Sequence, residues 1–184
     1  PEQTRAVVAE TRERTDAPFA VNLVVDADAQ VADPDELLAA ALDAGTPVVS
    51  FSFGDPGTWV ERAHDDGAQV IVTVGSAAEA EQAVARGADA VCAQGWEAGG
   101  HLQSEVATTA LVRRVADAVG DAVPVIAAGG LGDGRGLAAA LALGADGGWF
   151  GTRFVATREA NVDDGYRERI ADAAATDTVR TGLL

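Results

Sequence analysis

The sequence predicts an α/β fold in which short strands alternate with amphipathic helices, a parallel sheet of (β/α)-barrel type. Three observations carry that expectation. Apolar runs of strand length recur along the chain, separated by Ala-rich stretches with helical periodicity. The runs are continuous rather than alternating, as in strands covered on both faces. A Gly-Ala/Thr-x rhythm recurs at Gly45-Thr46-Pro47, Gly67-Ala68-Gln69, Gly87-Ala88-Asp89 and Gly144-Ala145-Asp146, each where a helix gives way to a strand. Repeated βα units of this length build (β/α) barrels.

The elements follow in order. The opening, PEQTRAVVAETRERTDA, is polar and helical. A strand over 19–25 precedes a helix over 34–44, where Pro34 suits a first turn behind Asp33. Strands over 48–53 and 69–74 alternate with helices over 59–66 and 77–86. A strand over 90–93 runs into a glycine-rich stretch, then a helix over 106–119. The last strands, 123–127 and 148–150, flank a helix over 134–143. Gly45, Gly67, Gly87, Gly120 and Gly144 sit where helix C-caps belong. The count is six strands, two fewer than a closed eight-stranded barrel, in one domain over 1–184.

Composition narrows the function. At 184 residues the chain is long enough for one good core. No apolar run approaches the roughly 20 residues of a membrane helix, so no membrane partner is expected. The net charge is −16, and the thirteen basic residues are all Arg. Such a surface repels phosphate backbones and argues against nucleic acid as a partner. The acidity fits a salt-adapted surface or, with the absence of Lys and Met, a GC-rich genome; composition does not separate them. One cysteine, Cys92, allows no internal disulfide and supplies no metal-ligand spacing. A reducing, cytoplasmic setting follows as the default.

Three strands end in glycine. The first ending is Gln94-Gly95-Trp96-Glu97-Ala98-Gly99-Gly100-His101, the second Gly129-Gly130, the third Gly147-Gly148-Trp149-Phe150-Gly151-Thr152. Glycine lets backbone approach a ligand closely, so the three endings point to one ligand at the carboxyl ends of parallel strands. The plainer reading is tight turns. Asn22 is an odd residue inside an apolar strand, and a buried amide needs partners. His101 has a side chain whose ordinary pKa suits proton transfer, or it braces the loop. Glu97 is read as tying the loop by accepting backbone N–H bonds, His64 as surface, and Cys92 as core.

Taken together, these runs resemble the nitronate monooxygenase (2-nitropropane dioxygenase) family of FMN-dependent TIM (β/α)8-type barrels. The carriers are Phe19-Ala20-Val21-Asn22-Leu23, Val48-Val49-Ser50-Phe51-Ser52-Phe53-Gly54, Val72-Thr73-Val74-Gly75-Ser76, the Gln94-to-His101 run, Ala127-Ala128-Gly129-Gly130-Leu131-Gly132-Asp133-Gly134 and Gly151-Thr152-Arg153-Phe154. The resemblance implies an incomplete barrel, lacking the two βα units that precede residues 19–25 in the family. It implies FMN as cofactor, with Asn22, Gln94, Gly99 and Gly100 at the flavin. Gly129, Gly130, Trp149, Phe150, Gly151 and Thr152 would line the cofactor and its phosphate. Ser52 and His101 would stand beside the substrate, a nitronate or nitroalkane oxidised with O2 to a carbonyl compound and nitrite. Ser52 occupies the place where many relatives carry a histidine base, and serine is a poor base unless another group activates it. Two alternatives stay open: a flavin-dependent enoyl reductase or other NAD(P)H-linked enzyme, and an inactive fragment or interaction module; assembly as a homo-oligomer stays open under each of these readings.

Overall fold

The computed structural model describes residues 1–26 and 33–182. It divides into two compact units, Pro1–Trp149 and Phe150–Leu184.

The first unit opens with α1 (Glu2–Arg14) and then alternates strand and helix. Its elements are β1 (Ala20–Val24), α2 (Pro34–Asp43), β2 (Val48–Ser52), α3 (Trp59–Asp65), β3 (Gln69–Val74), α4 (Ala77–Ala85), β4 (Ala90–Gln94), α5 (Thr108–Val119), β5 (Val125–Ala128), α6 (Gly134–Ala142) and β6 (Gly147–Trp149). The six strands form one parallel sheet in the order β1-β2-β3-β4-β5-β6. Sequential parallel order with a helix between strands is the βαβ arrangement expected of a (β/α)-barrel fold.

The local reasons match the punctuation. The Asp33 side chain caps α2 by accepting from Asp35 N, with Pro34 in the first turn. Ser76 caps α4 by accepting from Glu79 N, while Glu79 accepts from Ser76 Oγ and from Gly75 N. The Gly-Ala-Asp repeat has a job: Asp89 accepts from Val70 N and Asp146 from Val125 N, each at 2.7–2.8 Å. Each aspartate thus ties the start of one strand to the start of its neighbour. Every strand but β3 differs from expectation by a residue or two at its ends, and two of these differences have a local reason. β5 begins at Val125 because Pro124 has no N–H to give a ladder. β2 stops at Ser52 because Phe53 turns to φ +61°.

The two faces of the sheet differ. Leu23, Val49, Phe51, Val70, Val72, Val74, Val91, Ala93, Val125 and Ala127 are buried with Leu38, Leu42, Val60, Leu111, Val112 and Val115 of the helices. Each such large side chain, removed from water, contributes about 1.5–3 kcal/mol. The opposite face carries the alternate residues. There Asn22 and Trp149 are exposed, while Ile71, Thr73, Ala90, Gln94, Ile126 and Ala128 are half-buried. The expectation that both faces are covered therefore holds only on the helix side; the face that would be a barrel's interior is partly open.

The second unit holds a short helix α7 (Thr152–Val155) and α8 (Asp164–Asp172), capped by Asp163 through Tyr166 N. No helix of the described residues is long and apolar enough to cross a membrane.

Candidate functional site

Register builds the open face row by row. Asn22, Ser50, Ile71 and Ala90 are neighbours across β1 to β4. Val24 pairs with Ser52; Thr73, Cys92, Ile126 and Gly147 form the next row. Gln94, Ala128 and Trp149 close the face at the carboxyl ends of β4 to β6.

A small polar array bridges β1 and β2. Ser50 Oγ donates to Asn22 Oδ1 at 2.8 Å, and Asn22 Nδ2 donates to Ser52 Oγ at 3.4 Å. Ser50 and Ser52 are buried, whereas Asn22 is exposed. Among the described residues no carboxylate or imidazole is hydrogen-bonded to the Ser52 hydroxyl. Cys92 is buried on the same face; burial pushes its thiol up to about 12, against a hydrogen bond with Thr73. It is core and not a nucleophile.

The glycine-rich loop is fastened at several points. Gln94 Nε2 donates to the His101 carbonyl at 3.2 Å, and Gln94 Oε1 accepts from Gln103 N at 2.9 Å. Glu97 accepts from both the backbone N–H and the hydroxyl of Thr108 at 2.8 Å, which is the tying role expected of it. Partial burial raises the Glu97 pKa, yet those bonds outweigh it and hold the carboxyl below its ordinary value. His101 is exposed, its ring edge-on to Phe53 with centroids 6.1 Å apart. Gly99 and Gly100 are exposed, and Gly100 takes φ +87°. His64 lies at the surface, paired with Asp89 at 3.0 Å.

Two glycines have a reason other than ligand approach. A Cβ on Gly95 would stand 2.2 Å from Thr108 Oγ1, and one on Gly129 would stand 2.9 Å from the same atom. Both leave room for the start of α5. Gly130, at φ +69°, packs against the Glu97 side chain. At α6 the first-turn N–H groups of Arg135 and Gly136 are already taken by the Asp133 carboxylate. That helix start offers little to an added anion. Trp149 ends β6 and is 38% exposed. Phe150, Gly151 and Thr152 fall in the second unit, where the Gly151 carbonyl accepts from Phe154 N and Val155 N at the start of α7.

The residue that sequence reasoning missed is Gln103, whose side chain joins β2, β3 and α4. Its only signal was its place just past the glycine loop.

Residues 1–183 match the family model described as nitronate monooxygenase. The chain belongs to the nitronate monooxygenase family. Its members are flavin oxidoreductases. Among curated relatives, the chain is 41% identical over 181 residues to a (3aS,4S,5R,7aS)-5-hydroxy-7a-methyl-1-oxo-octahydro-1H-indene-4-carboxyl-CoA dehydrogenase of Mycobacterium tuberculosis, covering 98% of this chain and 50% of the relative. It is 36% identical over 224 aligned positions to a nitronate monooxygenase of Paraburkholderia phytofirmans, covering 98% of this chain and 60% of the relative. Among solved structures, FabK from Thermotoga maritima superposes with a TM-score of 0.91 at 43% identity, over 99% of this chain and 56% of that one. A nitroalkane oxidase from Streptomyces ansochromogenes gives 0.82 at 32% identity, over 91% of this chain and 59% of that one. Both are TIM-barrel proteins, which agrees with the parallel sheet here. The chain spans about half to three-fifths of the length of these relatives.

Proposed function

We propose that this chain is an FMN-dependent oxidoreductase of the nitronate monooxygenase type, acting on alkyl nitronates with O2 to yield carbonyl compounds and nitrite. The observation that carries the reading is the Asn22–Ser50–Ser52 array on the open face, the same face of the sheet that carries the half-buried Gln94 at the end of β4. A side-chain amide offers two donors and two lone pairs, and Gln94 has spent one of each on the loop. Asn22, Gln94 and the exposed Trp149 suit a planar ring that presents both donors and acceptors. FMN, when bound, supplies the electron acceptor for the reaction.

The chain's own groups bind and orient. Ser52 Oγ, accepting from the Asn22 amide, keeps its own proton to donate to a negatively charged oxygen. Among the described residues no base is bonded to Ser52, so its hydroxyl is a poor base toward carbon. The substrate therefore arrives already ionised. His101, exposed on the glycine loop, adds a donor at the entrance. Gly129 and Gly130 are the proposed backbone partners of the FMN phosphate, and Gly99 and Gly100 are proposed to line the flavin. A reducing, cytoplasmic setting goes with this reading.

The test compares a preformed nitronate with its neutral nitroalkane at one pH, following oxygen uptake in the presence of FMN. Turnover of the nitronate alone supports the reading, whereas equal turnover of the neutral compound would place a carbon base in the site. The likeness to FabK favours a second reading, a flavin-dependent enoyl reductase or other NAD(P)H-linked enzyme. Anaerobic bleaching of the flavin by NAD(P)H but not by nitronate would select it.

A further inference from the structure

We infer that Gln103 is a positioning residue that sets the entrance of the site by holding Phe53 and His101 in one arrangement. The inference rests on the flavin reading for its function and on geometry alone for its mechanics. The Gln103 side chain uses its whole amide. Its Oε1 accepts from Phe53 N at 2.9 Å, and its Nε2 donates to the Thr73 carbonyl at 3.0 Å and to Glu79 Oε2 at 2.8 Å. Its backbone N–H donates to Gln94 Oε1 at 2.9 Å. One residue thus joins the ends of β2, β3 and β4 to the start of α4.

What it holds is strained. Phe53 has φ +61°, the one non-glycine residue with positive φ among those described. A bulky side chain adopts that conformation only where its surroundings impose it, and such residues gather at functional sites. The bond from Phe53 N to Gln103 Oε1 is the imposed contact, directly after Ser52. The conformation turns the Phe53 ring to meet His101 edge-on at 6.1 Å. His101 lies two residues before Gln103, and its carbonyl is held by Gln94, so the backbone is tied down on both sides of the Phe53–His101 contact. The loop approaches β3 closely: a Cβ on Gly75 would stand 2.9 Å from the Gln103 carbonyl oxygen. Ser104 Oγ adds a bond to the Gly75 carbonyl at 2.8 Å. Without Gln103, Phe53 relaxes toward extended backbone and the imidazole loses its neighbour.

The experiment uses proton NMR of the imidazoles, together with FMN affinity, in Gln103→Ala and the near-isosteric Gln103→Met. The chain has two histidines, so His64→Gln assigns both sets of signals and His64 serves as the internal control. The expected result is displaced His101 signals, unmoved His64 signals, and FMN binding weaker by about tenfold, an ordinary coupling for a residue that does not itself touch the ligand. Gln103→Met keeps the volume, so it reports the lost bonds if Gln103→Ala fails to fold. A lowered melting temperature with unmoved His101 signals and unchanged FMN affinity would overturn the inference and leave Gln103 a plain structural tie. If the unaltered chain binds no FMN, the flavin reading falls, and the His101 signals alone decide: displacement supports the clasp, and constancy overturns it.

Discussion

Gly95→Ala is the sharpest structural prediction. The added Cβ would stand 2.2 Å from Thr108 Oγ1, 2.4 Å from Thr108 Cα and 2.6 Å from Thr108 N. Two of those atoms are backbone, so no rotamer change relieves the overlap. Gly95 is buried, and its N–H donates to the Ala128 carbonyl at 2.9 Å, which fixes it against β5. The start of α5 must move away instead. That movement strains the two bonds from Thr108 to Glu97, the ties of the glycine loop. Overpacking a tight site costs about 1–3 kcal/mol, and weakening hydrogen bonds to a carboxylate adds about 1–3 more. The expected loss is therefore about 2–6 kcal/mol. For a chain of this size that is a fall of roughly 4–24 °C in melting temperature. Gly132→Ala is the control, since a Cβ there meets nothing within 4 Å. Thermal melts by circular dichroism measure both. A Gly95→Ala melt within about 2 °C of the control would refute the packing argument.

The remaining predictions concern charge, the thiol and salt. The Gly57 N–H bond, opposed by burial and reinforced by Arg86 and Gln82, holds the Asp55 carboxyl below its ordinary value. A depressed folded pKa gives stability that is present above the unfolded value and lost as pH falls through the folded one. Asp55→Asn should thus flatten the fall of melting temperature on acidification from about pH 5 to 3, and an unchanged slope contradicts it. Cys92, buried with its thiol raised to about 12, should resist alkylation at pH 8 in the folded chain and react on denaturation. Rapid labelling of the native protein would show that this part of the sheet opens. With a net charge of −16, the folded chain should melt at higher temperature as salt is raised from 0.05 to about 1 M, because screening relieves self-repulsion. A melt indifferent to salt would favour the genomic explanation of the acidity.

The alternation of apolar runs and helical stretches was enough to locate all six strands in order, because parallel strands buried under helices leave a continuous apolar signal. The ends were less legible. Nothing local announces that Phe53 takes a positive φ, since that depends on Gln103, fifty residues away in the chain. The two short helices after residue 150 carry little apolar periodicity and escaped notice. Asn22 was marked by its oddity in an apolar strand, and its partners proved to be Ser50 and Ser52. Gly95 and Gly129 were singled out for ligand approach; that both also leave room for Thr108 was not legible, because a glycine in sequence does not say which neighbour crowds it.

The central claim is that this chain holds FMN. The most direct test incubates the purified protein with FMN, removes free flavin by desalting, and records the visible spectrum before and after anaerobic addition of a nitronate. The account predicts a retained flavin spectrum that bleaches on addition. A folded, cooperatively melting chain that keeps no flavin would contradict it.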